Sequence, residues 1–284
     1  MDLETIQNID KMKINKSCRG CGSDSLLKFL DLGKQPLANR FLTKDELSKP
    51  ESFYPLEVYF CSVCNLVQLI HVVAKEELFG KYVYFSSGMP TASAYWNSYS
   101  SEIIAGFLRD QDGLVVEIGS NDGILLKFFQ EKGFRVQGID PARNIVAAAR
   151  ENGIPTLEGF FSLTVAQEIL KNHGQPRVVL ANNVVAHIDD YDDFWSGIRL
   201  LVGGGGVLVM EAPYLMDMFN HLAYDTIYHE HLSFLAVKPL RKILQRFGLE
   251  IFDARIVESQ GHSLRLFISG SGNYPVKSSV GYLA

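Results

Sequence analysis

The sequence predicts an α/β protein: an open, mostly parallel, seven-stranded sheet with an antiparallel last strand, preceded by a small zinc-binding module. Three observations carry that expectation. All four cysteines lie near the start, as Cys18 with Cys21 and Cys61 with Cys64. After Asp110, short apolar strands alternate with helical segments, which implies a parallel sheet covered on both faces. The final two strand segments have too short a connection for a parallel crossover, so the last strand must run antiparallel.

The chain has 284 residues, enough for one large domain and a small one, and nearly half are apolar. A net charge of −5 and a pI near 5.8 exclude a general nucleic-acid binder, which would carry a basic stripe. The first sixteen residues mix acids, lysines and isolated apolar residues, without a signal-peptide core. No run reaches bilayer length, and Leu200 to Met210 is broken by four consecutive glycines. These features suit a soluble cytoplasmic protein.

The small module is expected over residues 17–78, behind a polar leader of loose order at 1–16. A Cys-x-x-Cys knuckle presents two sulfurs on one tight turn, and two knuckles complete a tetrahedral zinc shell at about 2.3 Å. Gly20 and Gly22 flank the second sulfur and supply unusual backbone angles. Two disulfides or four buried thiols are the competing arrangements. With four protein ligands such a zinc has no open position, so its role is structural. Strands are predicted at Leu26–Leu32, Glu57–Phe60 and Leu66–His71. A block rich in Tyr, Ser and Gly (Phe79–Thr91) and a helix (Ser93–Leu108) fill a linker at 79–110.

The large domain is expected over 111–272. Its predicted strands are Leu114–Ile118, Arg135–Ile139, Val178–Val185, Gly206–Glu211, Leu249–Val257 and Ser263–Ser269. Helices are predicted at Ile124–Glu131, Ala142–Glu151, about Asp192–Leu201, and Pro239–Phe247 with Gly248 closing it. Residues 273–284 form a tail.

Within that domain, Val116-Glu117-Ile118-Gly119-Ser120-Asn121-Asp122-Gly123 runs from strand through a Gly-x-x-x-Gly turn into a helix. Gly119 admits a ligand to the backbone and Gly123 lets the helix start pack closely. Asp140 follows at the end of the next strand, where a ribose diol would be gripped. A dinucleotide fold has the same outline, but its fingerprint has closely spaced glycines over a pyrophosphate; here residue 121 is Asn and Glu117 precedes the turn. Acids suit a cation, and S-adenosylmethionine carries both a sulfonium and an ammonium. A methyltransferase is therefore favoured over a dehydrogenase, with a glycine turn that binds nothing as the bland alternative. Asn182 and Asn183, at the end of the fourth strand, sit where the cofactor's methionine part would lie, or else are ordinary turn formers.

Tyr228-His229-Glu230-His231 follows the fifth strand. A His beside a carboxylate can be held in one tautomer and made more basic, giving a group able to remove a proton next to a ketone. His187 belongs to the same rim, and Tyr82 and Tyr84 can close over it. Zinc at the two imidazoles is disfavoured, because alternate residues of an extended segment point oppositely. A loop histidine that merely hydrogen-bonds at the surface is the bland alternative.

Taken together, Cys18, Cys21, Cys61 and Cys64, Glu117–Gly123, Tyr228–His231 and Gly261-His-Ser-Leu-Arg265 resemble the C-methyltransferases of nucleotide-linked deoxysugars. The resemblance runs from Cys18 almost to the end. It implies the class I S-adenosylmethionine-dependent methyltransferase fold, structural Zn2+, and methylation at C3 of a nucleotide-diphosphate-linked 4-keto-6-deoxysugar. It implies His231 as the base, with Glu230 orienting or supporting it, and Tyr228, Tyr82 and His187 lining the sugar pocket and stabilising an enolate oxygen. Cofactor contacts are expected from Glu117, Gly119, Asn121, Gly123, Asp140, Asn182 and Asn183. The family continues into a further α/β lobe, so 273–284 is expected to begin a truncated one; His262 stands where the family has glycine. An O- or N-methyltransferase of a small metabolite, and an inactive cofactor-binding fragment or interaction module, are the alternatives.

Overall fold

The computed structural model describes residues 12–79, 84–88, 91–108, 113–259 and 262–284. Its larger sheet holds seven strands: β6 (Leu114–Ile118), β7 (Arg135–Asp140), β8 (Thr156–Glu158), β9 (Val178–Asn182), β10 (Val207–Pro213), β12 (Leu249–Val257) and β13 (Ser263–Gly270). Their order is β12-β13-β10-β9-β6-β7-β8. Only β13 runs against its neighbours, wedged between β10 and β12, as the short β12–β13 connection requires. The centre is apolar on both faces: all five residues of β6 are buried. Each face is covered by helices, which is the condition for a parallel sheet.

On one face lie α2 (Ala92–Phe107) and α3 (Ile124–Glu131), whose Tyr99, Ile103, Leu126 and Phe129 pack on Val115, Leu180 and Val209. The other face is covered by α5 (Leu163–His173), α6 (Tyr191–Val202) and α8 (Val237–Gln245). Helix α4 (Arg143–Glu151) joins β7 to β8, and α7 (Leu215–His221) follows β10. Among the described residues, no helix is long and apolar enough to cross a membrane.

The amino-terminal module is a smaller sheet in the order β11-β4-β3-β2, with β2 (Leu26–Gln35), β3 (Tyr54–Cys61) and β4 (Val67–Leu69). Its fourth strand, β11 (Ser233–Phe234), comes from far downstream and pairs antiparallel with β4. The two expected domains therefore share a sheet, and they share a core as well: Cys18, Cys61, Cys64 and Leu66 pack in one cluster with Leu240, Ile243 and Leu244 of α8.

Several expectations are corrected. Residues 12–14 are not loose leader; as β1 (Met12–Ile14) they pair with β5 (His71–Val73). The predicted strand Leu66–His71 is two strands, β4 and β5. The strand predicted to Val185 stops at Asn182, because Asn183 takes a positive φ of 56° and starts a 3-10 turn over Val185–His187. Helix α8 begins two residues before Pro239, which the first turn of a helix tolerates. Residues 273–284 do not leave the domain: α9 (Ser278–Tyr282) folds back, Val280 is buried, and Lys277 and Ser279 bond Asp253 of β12. A short helix, α1 (Lys75–Phe79), closes the expected module and ends on the first residue of the expected linker.

Candidate active site

A cavity of about 970 Å³ opens along the carboxyl ends of β6, β7 and β9, the edge where open α/β sheets bind ligands. The amino-terminal module forms part of its wall through Asn39, Val72 and Lys75.

The bend after β6 is built by backbone bonds. Gly119 N and Ser120 N donate to the Ile139 carbonyl, at 2.8 and 3.1 Å. Gly119 has φ +66°, and a Cβ there would stand 2.5 Å from Val184 Cγ2, so the residue must be glycine on two counts. Asp140 accepts from Asn121 N at 3.0 Å and from Ala142 N at 2.9 Å, locking the bend to the end of β7. Glu117, Asp140 and Asn182 line the cavity. Burial, and then the charges of Asp140 and Asp122, push Glu117 well above the usual carboxyl range. Its Oε2 is buried without a partner, as are Asn182 Nδ2 and Asn183 Oδ1. Buried polar atoms are almost always satisfied. Such a carboxyl, next to unused amide atoms, fits a ligand presenting a cation and polar groups; S-adenosylmethionine meets that description, whereas a pyrophosphate would add negative charge beside three acids.

Asn121 lines the cavity and also carries a structural load, whereas Gly123 lies outside the lining. The Asn121 amide holds the segment before α2: Oδ1 accepts from Ser86 N at 2.8 Å and Nδ2 donates to the Tyr84 carbonyl at 3.0 Å. Asp122 accepts from Ser87 N at 3.0 Å. Together they strap residues 84–87 across the bend, and Tyr84 and Ser86 line the cavity. Gly123 caps α3 with φ +80°, and a Cβ would meet Ile154 at 2.8 Å; it serves packing and does not line the cavity. Tyr82 lies outside the described residues.

Across the cavity stand Tyr228, His231 and His187. His231 Nδ1 lies 2.8 Å from the Thr226 carbonyl, and Nε2 lies 3.0 Å from the Tyr228 hydroxyl. A carbonyl only accepts, so Nδ1 carries the hydrogen and the Nε2 lone pair accepts from Tyr228. His187 Nδ1 likewise donates to the Glu230 carbonyl at 2.7 Å, and its ring centroid is 5.0 Å from that of His231. Burial, and secondarily His187, lower the His231 pKa to about 3. Glu230 does not orient His231: its carboxylate accepts from Asn39 Nδ2 at 2.8 Å, and the tautomer is set by a backbone carbonyl. Nor is the imidazole made more basic, because desolvation penalises its charged form. His229 points away, toward the Tyr54 carbonyl at 3.2 Å.

The four cysteines converge. Cys18 and Cys64 sulfurs are 3.5 Å apart, Cys21 and Cys61 sulfurs 3.6 Å, and all four lie within 4.8 Å of one another. None is disulfide-bonded. Sulfurs on a tetrahedral zinc at about 2.3 Å would be spaced similarly, so the set fits Zn2+. Each second cysteine is followed by a left-handed residue, Gly22 (φ 76°) and Asn65 (φ 69°), and each turn closes by a bond to the first cysteine's carbonyl, at 2.8 and 2.9 Å. Hydrogen bonds from Cys64 and then Gln68 hold the Cys18 thiol well below its ordinary range, ready to ligate as thiolate.

Residues that pattern analysis did not single out include Asn39, Trp96 and Phe160 in the cavity wall, and Arg19. Lys75 Nζ stands 4.2 Å over the Phe160 ring. Arg19, inside the first knuckle, is buried and donates to the carbonyls of Leu232 and Leu69 (the latter at 2.8 Å) and reaches Asp189 at 3.4 Å. A charged residue inside a Cys-x-x-Cys knuckle was the one available signal.

Residues 96–254 match the methyltransferase domain family, more than half the chain, and residues 18–79 match a zinc binding domain. The chain belongs to the methyltransferase domain family, with the class I S-adenosylmethionine-dependent fold behind a cysteine-rich zinc-binding module. More particularly, it is 32% identical over 264 residues to the C-methyltransferase NovU of Streptomyces niveus. That alignment covers 93% of this chain but only 63% of the relative. Among solved structures, an S-adenosylmethionine-dependent methyltransferase from Clostridium acetobutylicum is 13% identical with a TM-score of 0.48, covering 66% of this chain and 94% of that one. A magnesium protoporphyrin IX methyltransferase from Synechocystis is 18% identical with a TM-score of 0.46, covering 63% and 83%. Both are too distant to bear on substrate.

Proposed function

We propose that the protein is an S-adenosylmethionine-dependent C-methyltransferase acting at C3 of a nucleotide-diphosphate-linked 4-keto-6-deoxysugar. The observation that carries this is the Tyr228–His231 pair, which faces the same cavity as the acid-lined bend and has its Nε2 lone pair turned toward the phenol. Glu117, Asn182 and Asn183 hold the cofactor's charged end through the buried atoms they leave unpaired. When bound, S-adenosylmethionine supplies an electrophilic methyl group.

Carbon becomes nucleophilic only when a neighbouring carbonyl delocalises its charge. His231 Nε2 takes the C3 proton; the C–H pair becomes the C3–C4 double bond, and the carbonyl pair moves onto oxygen. The Tyr228 hydroxyl turns from Nε2 to that oxygen as the donor it requires. The Thr226 carbonyl steadies the imidazolium through Nδ1. Burial keeps the imidazole neutral, the form that accepts a proton, and the negative charge developing on the enolate oxygen beside it offsets the desolvation that otherwise weakens it as a base. His187 lines the wall beside it, and Glu230, anchored on Asn39, supports the loop.

Incubation with methyl-labelled S-adenosylmethionine and a 4-keto-6-deoxysugar nucleotide should put label on carbon. C3 should also exchange with deuterium oxide when no cofactor is present. Label on oxygen, or no exchange, rejects the proposal.

A further inference from the structure

Outside the cavity, Asp217, His221 and His262 form a cluster in which one donor atom from each residue lies within 4.8 Å of the others. Asp217 and His221 are four residues apart on α7 and so share a face of the helix. His262 comes from the connection that leads into β13, one residue before Ser263, which pairs with Pro213 of β10. The cluster therefore bridges two elements that β10 and β13 bring together. Asp217 Oδ1 is 3.1 Å from His221 Nδ1 and 3.2 Å from His262 Nδ1. Adjacent ligands around an ion at about 2.0–2.2 Å stand at about this spacing. The two rings lie with centroids 5.7 Å apart, and both imidazoles are largely exposed.

A second observation concerns the backbone. His262 has φ +32°, a left-handed angle that glycine adopts freely and an imidazole-bearing residue does not. The ring is nonetheless carried there and directed at the same carboxylate oxygen as His221.

We propose that Asp217, His221 and His262 form a second metal site, for a divalent first-row transition ion such as Zn2+ or Co2+. Two imidazoles and a carboxylate suit that class, whereas Mg2+ and Ca2+ prefer all-oxygen shells. Binding replaces the contacts of His221 Nδ1 with Asp217, including one to the Asp217 backbone carbonyl at 3.1 Å, and pins α7 to the β12–β13 connection. Three protein ligands leave the remaining positions to water or an anionic group, unlike the closed four-cysteine shell.

The test uses untagged, full-length protein with its cysteine site filled by zinc. Titration with Co2+ should add a second equivalent whose visible spectrum lacks a thiolate-to-cobalt charge-transfer band, and Zn2+ should displace it. His262→Gly and His221→Gln should lose that equivalent while keeping the cysteine-bound zinc and the wild-type circular dichroism. A wild-type protein that takes up no further cobalt overturns the proposal. So does retention of the second equivalent in both variants.

Discussion

Arg19, within the first zinc knuckle, donates to the backbone carbonyl of Leu232, the residue that follows His231. The same guanidinium reaches the Leu69 carbonyl of β4, and β4 also receives Leu232 through the bond from Leu69 N to its carbonyl at 3.0 Å. The segment carrying Tyr228 and His231 thus ends in a strand of the metal-held sheet. The zinc module makes no chemistry, yet it fixes the position of the group proposed to perform it.

Replacing Arg19 by methionine removes donors from two buried carbonyls and leaves Asp189 with less positive charge. A loss of about 2–4 kcal/mol in urea denaturation is expected. The affinity for S-adenosylmethionine should stay within about twofold, because Glu117 and Asn182 lie on other strands, while turnover falls about tenfold or more as His231, the proposed base, is displaced. Equal losses of cofactor binding and turnover would mean that Arg19 supports the fold generally and does not position the Tyr228–His231 segment.

Metal removal should act through the same route. With the thiolates of Cys18, Cys21, Cys61 and Cys64 left uncompensated, the knuckles lose their fold, as metal affinity and folding are one free energy in such modules. The β4–β11 pairing goes with them. Hydrogen exchange after zinc chelation should show faster amide exchange over 54–73 and 228–235. The amides of β6 and β9 should stay protected.

The central strands are legible in the sequence because they are buried on both faces and so read as unbroken apolar runs, as Leu114–Ile118 does. The knuckles are legible from cysteine spacing alone. What pattern analysis lacks is pairing at long range. β11 has two residues and no periodicity, and only the tertiary fold reveals that it completes the zinc sheet. β8 has three residues and escapes for the same reason. At the site, residue types locate Tyr228 and His231, but not their hydrogen bonds. Adjacency suggests that Glu230 partners His231, whereas the turn at Tyr228–His231, closed by His231 N to the Tyr228 carbonyl at 3.0 Å, sends the carboxylate to Asn39.

His231 also predicts how the protein responds to acid. Its folded pKa, about 3, is below the ordinary imidazole value of about 6.5. Between those values the unfolded chain binds a proton that the native chain refuses, so stability rises with pH there. The stability is fully present above about pH 6.5 and is lost as pH falls toward the folded pKa. His187 and His229, also lowered by burial, add in the same sense. Denaturation across this window should show a shallower pH slope for His231→Asn than for wild type. Catalysis should show no acid limb near pH 6.5 from this imidazole, and such a limb, absent from the Asn variant's residual rate, would contradict the burial of His231 as the proposed base.

Glu117 gives the opposite sign. Burial raises its folded pKa above the ordinary carboxyl value, so in the empty cavity the native state holds a proton that the unfolded chain releases. Stability is therefore lost as pH rises through that window. Glu117→Gln copies the protonated form, and its empty state should be at least as stable as wild type, with a gain of about 2–4 °C in Tm for each kcal/mol recovered. A cationic ligand reverses the preference, because a positive charge beside Oε2 favours the carboxylate. S-adenosylmethionine binding should then release a proton from Glu117 and tighten as pH rises. Calorimetry in two buffers of different ionisation enthalpy should detect that proton in wild type and not in Glu117→Gln, whose affinity should be weaker and flat with pH. An unchanged affinity and proton count in the variant would mean that the cation does not approach Glu117, and that the unpaired oxygen has another partner.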